Sequence, residues 1–198
     1  MNKNNGKLIV FEGADDLGKT TQIDLLYNYL SDNNYKVIKT REPGGTNLGS
    51  RLRNLILNSK EKMPSKTELF LFLADRNYHY EKILKPKLEK GYIILCDRFY
   101  LSTLVYQHKL GNLKEEHVKN LNLFSTNGLK PNLSFVFYGK RLTKNIKDEY
   151  EKFILDNHNA LNRYYRDYAL KDKNSVLIDA NKPIKEVFYK IKEVVLNY

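Results

Sequence analysis

The chain has 198 residues, 41% of them hydrophobic, with a formal net charge of +11 and a single cysteine. That length suits one substantial core and one domain, Cys96 alone rules out an intramolecular disulfide, and no apolar stretch reaches the roughly 20 residues of a membrane-spanning helix. The polar start MNKNNGK carries no apolar signal core, so a soluble, cytoplasmic protein is expected; the basic charge is scattered through a Lys-, Asn- and Tyr-rich chain and is discounted as a sign of nucleic-acid binding.

Short apolar runs alternate with segments of helical period. KLIVF (7–11) reads as a buried strand, and a helix follows from Gly18 to about Leu30, with Ile23, Leu26 and Leu30 on one face. YKVIKT (35–40) is the second strand, REPGGTNLG a glycine- and proline-rich loop, and 51–57 is helical again. Ser65 with Glu68 three residues on has the form of a capping box; it opens a long helix that Pro86 is expected to kink. YIILCD (92–97) is the third strand, with Cys96 a small buried residue in it, and 114–127 forms a helix. LSFVFY (133–138) is the fourth strand, a polar helix covers about 147–169, and SVLIDA (175–180) is the fifth strand. Pro183 opens a last helix that presents Ile184, Val187, Ile191 and Val194 to the core. The alternation predicts a three-layer α/β fold, a five-stranded parallel sheet flanked by helices, with ligands bound beyond the carboxyl ends of the strands.

Between the first strand and its helix lies GADDLGKT, with the G-x-x-x-x-G-K-[ST] spacing of a phosphate-binding loop. Glycines let the backbone N–H groups close on phosphate oxygens, Lys19 adds a point charge, the Thr20 hydroxyl can ligate Mg²⁺, and the helix N-terminus faces the anion. The expected ATP-binding residues are Gly13, Ala14, Asp15, Asp16, Leu17, Gly18, Lys19, Thr20 and Thr21. The strand before and the helix after place this loop in a P-loop NTPase fold. The motif names the donor and leaves the reaction open.

Four arginines stand near the same edge. Arg41 and Arg98 follow the second and third strands, Arg51 lies in the next helical element, and Arg76 sits in the long helix. A lone arginine is most often a solvated surface residue, but two at consecutive strand exits beside a P-loop point to a second anion site. Asp97, at the tip of the third strand, is placed to hold Mg²⁺ directly or through water. Phe72 and Arg76, four apart on one helical face, pair a flat ring with a charged fork that could sandwich and read a base. If Phe72 faces the cleft, Phe70 is the better core candidate.

With these residues in view the chain resembles the thymidylate kinase family. The resemblance rests on FEGADDLGKTTQ, TREPGGTNLGSRLR, ELFLFLADRNYH and DRFYLSTLVYQ, four motifs in order, and runs from about Leu8 to Tyr106 and more thinly beyond. It implies transfer of the terminal phosphoryl of ATP to dTMP. Lys19 and the loop would hold ATP, Asp15 would reach the acceptor 3′-hydroxyl, and Arg41 and Arg98 would engage the acceptor phosphate. Phe72 would stack on thymine and Arg76 would bind its edge. Thr103 and Gln107 would line the base, Tyr106 would pack under the deoxyribose, and Tyr150 would lie near the sugar. Asp15, Lys19, Arg98 and Arg141 form the implied catalytic set.

The resemblance also implies a homodimer, and a short lid at about 139–150. The phosphate loop lacks the arginine some members carry there; Arg141, among Lys140, Lys144 and Lys147, is the first candidate for the lid cation. Phe99 stands where many members have tyrosine. Alternatives are a kinase of the same fold with another nucleotide or deoxynucleoside acceptor, a nucleic-acid-stimulated ATPase, and a catalytically silent P-loop protein.

Overall fold

The computed structural model describes residues 6–59, 63–140 and 149–198. All five expected strands form: β1 (Lys7–Glu12), β2 (Val37–Arg41), β3 (Ile93–Asp97), β4 (Leu133–Tyr138) and β5 (Ser175–Asp179). They make one parallel sheet in the order β2-β3-β1-β4-β5. Side chains alternate between the two faces. Leu8 and Val10 of β1 pack with Ile94, Cys96 and Leu84, whereas Ile9 and Phe11 pack with Leu95, Leu133 and Phe135. Apolar residues on both faces of the central strands require helices on both sides.

The register sets the functional edge. Asp97 lies opposite Phe11 on one side and Arg41 on the other. The ends of β1, β2 and β3 therefore finish level, where the switch in strand order opens a crevice.

The helices are α1 (Lys19–Asp32), α2 (Asn47–Leu57), α3 (Ser65–His79), α4 (Lys85–Glu89), α5 (Tyr100–Thr103), α6 (Glu115–Ser125), α7 (Glu149–Asp156), α8 (His158–Ala169) and α9 (Ile184–Asn197). Ile23, Leu26 and Leu30 are buried along α1 as their spacing predicts. Several details differ. The capping box at Ser65 does not form: Pro64 takes the N-cap position, with no side-chain cap, and Ser65 falls one residue inside. Between α3 and α4 the chain widens into a π turn, Tyr80–Leu84. Pro86 lies just beyond it and has no N–H to return to the Lys82 carbonyl. A second π segment, Leu104–Leu110, continues α5.

The single helix expected over 147–169 is two. At Asn157 the backbone N–H and the side-chain amide both donate to the Phe153 carbonyl, at 3.1 and 2.9 Å, and close the end of α7. In α9 the core face is Val187, Ile191 and Val195; Ile184 is 58% exposed and Val194 only half-buried. The first turn is held through its backbone, where Gln22 Nε2 donates to the Ile184 carbonyl at 3.0 Å. On α3 the core residues are Leu69 and Leu73, and Phe70 is 60% exposed, so the expectation for Phe70 fails. A helix turns 100° per residue, and with Leu69 and Leu73 inward, Phe70 must point away.

Candidate active site

The phosphate loop is built as its motif requires. Gly13 has φ 133°, and a Cβ there would stand 2.6 Å from the Phe137 carbonyl oxygen. Gly18, the N-cap of α1, is left-handed at φ 78°. Both positions need glycine. Ala14 and Leu17 are buried anchors of the loop, while Thr20 and Thr21 are exposed on the first turn of α1. The Lys19 ammonium, almost wholly buried, donates to the carbonyls of Ala14 (2.6 Å) and Gly13 (3.2 Å). Burial draws its pKa down to about 8, Arg98 pushes the same way, and Asp97, Asp15 and Glu12 oppose.

Facing this loop is a cleft of about 310 Å³, lined by Asp15, Asp16, Gly18, Lys19 and Thr20, and by Arg41 and Asp97 from the strand ends. Among its hard oxygen donors are the Thr20 hydroxyl and the Asp97 carboxylate, which come from separate elements. Asp97 Oδ1 is buried with no hydrogen-bond partner among the described residues. An orphaned carboxylate oxygen beside a phosphate loop fits Mg²⁺, which keeps most of its ligands as water and phosphate. In keeping with that, the described residues contain no cluster of three or more His, Cys, Asp or Glu able to cage a metal.

Arg98 follows Asp97 with a left-handed backbone, φ 68°, which is strained for a residue with a side chain and typical of functional sites. Its amide donates to the Phe11 carbonyl at 2.9 Å, fixing it to β1. Its guanidinium donates to Asp15 (2.7 Å), Tyr165 (2.8 Å) and Ser102 (3.1 Å), and lies 5.7 Å from the Tyr106 ring centroid. Burial alone would raise the Asp15 carboxyl, but the charges of Arg98 and Lys19 outweigh it and hold the pKa at about 2. Glu12, 1% exposed, sits behind; burial lifts its carboxyl to about 7 against the Ser102 hydrogen bond and the Arg98 charge.

Farther along the crevice Arg76, 2% exposed, is held by a second buried network. Its Nε donates to Glu42 (2.7 Å), its Nη1 donates to Thr103 (2.7 Å) and to Asn122, and its plane lies over the Phe99 ring, 5.3 Å away. His79 pairs with Glu42 (2.8 Å) and Thr40 (2.7 Å). Burial would raise Glu42, yet Arg76 and His79 hold it below the usual carboxylate range. Phe72 shares the inward arc of α3 with Arg76; it is half-buried and belongs to neither core cluster. Gln107 is buried, its amide 3.4 Å from Glu68.

Asp75, next to Arg76, accepts the Gly44 N–H at 3.2 Å through Oδ1, while Oδ2 is buried without a hydrogen-bond partner among the described residues. Burial, reinforced by the Glu42 charge, pushes its pKa from 3.8 to about 6. A carboxyl raised on folding keeps, in the folded state, the proton that the unfolded chain releases. Stability is therefore lost as pH rises from about 4 to about 6. Asp75→Asn removes that loss. The stability of the variant relative to wild type should grow by up to about 3 kcal/mol over this window, read by urea titrations at pH 4, 5, 6 and 7. A difference independent of pH would overturn it.

Sequence reasoning and structure part at several residues. Arg51 is exposed on α2, whereas Arg53, two residues on, donates to the Pro43 carbonyl (3.2 Å) and places its charge near Asp15. Glu12, Glu42, His79, Ser102 and Tyr165 were not singled out. Glu12 and Glu42 carried a usable signal, acidic residues at the ends of strand-like runs; Tyr165 carried none. Arg141 and the side chain of Tyr150 lie outside the described residues.

A strand, phosphate loop and helix facing two arginine clusters across one crevice define a phosphotransferase of the P-loop kinase class. The chain matches the family model for thymidylate kinase over residues 11–191. It is 43% identical over 190 residues to a thymidylate kinase of Sulfurihydrogenibium sp., covering 92% of this chain and 93% of that one. It is 40% identical to one of Thermosipho melanesiensis, covering 94% and 96%. The crystal structure of thymidylate kinase from Ehrlichia chaffeensis superposes with a TM-score of 0.83 at 29% identity, covering 96% of this chain and 99% of that one. The chain belongs to the thymidylate kinase family.

Proposed function

We propose that the enzyme transfers the terminal phosphoryl group of ATP to dTMP, giving dTDP and ADP, within one domain whose lid spans about residues 139–150. The observation that carries this reading is the level ending of β1, β2 and β3, which gathers the phosphate loop, Arg41 and Asp97 around one cleft, with Arg98 next to Asp97 and bonded to the cleft-lining Asp15. Loop amides and Lys19 bind the donor phosphates. Arg41 and Arg98 take the acceptor phosphate, and Asp15, paired with Arg98, meets the acceptor sugar above Tyr106. Phe72, Arg76, Thr103 and Gln107 form the base end; the family resemblance supports Tyr150 near the sugar and Arg141 as the lid cation. Thr20 and Asp97, directly or through water, would hold Mg²⁺, which would neutralise phosphate charge.

The chemistry demands positioning and charge neutralisation more than covalent help. A nucleotide monophosphate is largely dianionic near neutral pH, so its oxygen attacks in line without a dedicated base. Lys19 and Arg98 stabilise charge that develops on the transferred group. Lid closure excludes water and suppresses ATP hydrolysis.

The test is ADP release from ATP and Mg²⁺ with dTMP, dUMP, UMP, CMP, AMP, GMP, thymidine or single-stranded DNA. Strong stimulation by dTMP, with weaker dUMP, is expected. Preference for another mononucleotide or for thymidine overturns the base-site assignments, and stimulation by DNA favours the ATPase reading. Phe72→Ala should raise the dTMP KM about 10-fold or more with kcat little changed, because a stacked ring contributes about 1–3 kcal/mol; a normal KM removes Phe72 from the base site.

The further parts of the reading are a cytoplasmic enzyme acting on free nucleotides, not on nucleic acid or membranes, and a homodimer. Among the described residues no helix is long and apolar enough to cross a membrane. Support for the dimer comes from exposed Phe70 on α3, Phe124 on α6 and Leu55 on α2, apolar residues on helices that pack side by side. Sedimentation equilibrium tests it, and a monomer at micromolar concentration rejects it.

A further inference from the structure

We propose that Ser102 and Tyr165 form a one-way hydrogen-bond relay from Arg98 to the buried Glu12 carboxylate, and that Glu12, Ser102 and Tyr165 are positioning residues for phosphoryl transfer. The inference rests on the reading above in which Arg98 serves the transfer.

The distances and the proton inventory define the direction. Every contact the structure gives Glu12 comes from a donor. Oε1 accepts the backbone N–H of Phe99 (2.8 Å) and of Ser102 (3.4 Å), and Oε2 accepts the Ser102 hydroxyl at 2.6 Å. Serine has one hydroxyl proton, and that contact uses it. The 2.9 Å contact between Ser102 Oγ and Tyr165 must then carry the tyrosine's proton toward Ser102. This leaves the Tyr165 oxygen to accept, and Arg98 Nη1 donates to it at 2.8 Å and to Ser102 Oγ at 3.1 Å. The polarity runs unbroken from guanidinium to carboxylate. Each bond polarises the next, and the chain ends on a group with no proton to pass on.

The same chain fixes geometry. Arg98 Nη1 is fully engaged by the relay, while Nη2 points to Asp15 at 2.7 Å, so the plane of the fork is determined by one buried and one cleft-side anchor. The anchors come from distant elements: Glu12 ends β1, Ser102 sits in α5 and Tyr165 in α8. Tyr165 is fully buried and belongs to the main core, which gives the relay a rigid mount. A phosphate-binding arginine must be held to within a fraction of an ångström to act on a transition state and not merely on a ground state.

The test uses the full-length enzyme at pH 8 with steady-state kcat and both KM values for Tyr165→Phe, Ser102→Ala, Ser102→Thr and Arg98→Ala. Tyr165→Phe removes one oxygen and leaves the ring in place. Tyr165→Phe and Ser102→Ala should each lower kcat about 10- to 100-fold, as expected for losing charge-assisted hydrogen bonds. ATP KM should stay within about twofold, since the donor is held elsewhere. The double variant should be little worse than the poorer single one, because both cut one chain. Ser102→Thr keeps the hydroxyl and should retain most of the wild-type kcat. If Tyr165→Phe does not fold, Glu12→Gln reads the chain from its other end: its amide donates toward Ser102, reverses the polarity and should lower kcat to the same degree.

A merely structural role predicts lower melting temperatures with kcat unchanged, and that outcome overturns the relay. So do multiplicative losses in the double variant. An inactive Arg98→Ala beside unaffected relay variants rejects the relay alone. An active Arg98→Ala rejects the reading it rests on.

Discussion

Arg98→Ala should lower kcat by about 10³-fold or more at saturating ATP and acceptor, while the affinity for an ATP analogue changes little. The first part follows from placement. Arg98 is fixed by its left-handed backbone and by an amide bond to the end of β1, with the cleft-facing Asp15 at 2.7 Å. No neighbouring side chain can replace a planar fork in that position, and Arg98→Lys should restore little, because a lysine makes one point contact in place of two parallel ones. The second part follows from the donor site. Loop amides and Lys19 hold ATP, and removing the Arg98 charge relieves one of the influences that depress the Lys19 pKa. Calorimetric titration with a non-hydrolysable analogue, beside coupled-assay turnover, reads both parts. A kcat within threefold of wild type would sink the assignment.

Arg76→Ala carries the other large effect, and here stability and function separate. Arg76 and Glu42 form an ion pair at 2.7 Å with side chains only 3% and 2% exposed. Removing the arginine strands the Glu42 carboxylate in the interior with the His79 ring as its remaining side-chain hydrogen-bond partner. Breaking a buried pair from one side costs about 3–5 kcal/mol, which for a chain of this size lowers the melting temperature by about 10 °C or more. The double variant Arg76→Met with Glu42→Gln removes both charges and should recover most of that loss. It should not recover dTMP affinity, since the base loses its hydrogen-bonding partner. Calorimetric melting and acceptor KM on the two variants distinguish the contributions. Equal stability of the single and double variants would show that a stranded Glu42 charge is not what destabilises Arg76→Ala.

The two networks share a logic. Arg98 and Arg76 are each backed by a buried glutamate at or just beyond a strand end, Glu12 reached from Arg98 through Ser102 and Glu42 paired directly with Arg76. A guanidinium that is to read a phosphate or a base edge needs a fixed plane. A buried carboxylate supplies it at the expense of its own solvation, which is why burial lifts the Glu12 carboxyl to about 7.

What the sequence determined by itself is everything that local chemistry dictates. Gly13 and Gly18 stand where only glycine fits, so the phosphate loop was legible from spacing alone. The strands β1, β3 and β4 were legible because residues buried on both faces leave unbroken apolar runs, and the family followed from four motifs in order. Arg41, Asp97 and Arg98 could be grouped in advance because strand ends in a parallel sheet share one edge. On α2 and α3 the tertiary structure alone decided which face turns inward, whereas on α1 the spacing of Ile23, Leu26 and Leu30 had already marked it. That choice buried Leu69 and Leu73 in place of Phe70, and brought Arg53 near Asp15 while leaving Arg51 exposed. It alone joined Glu12 to Ser102 across 90 positions of sequence and Ser102 to Tyr165 across 63. Such contacts leave no periodicity or spacing in the chain, because they depend on where three separate elements pack and not on what any one of them contains.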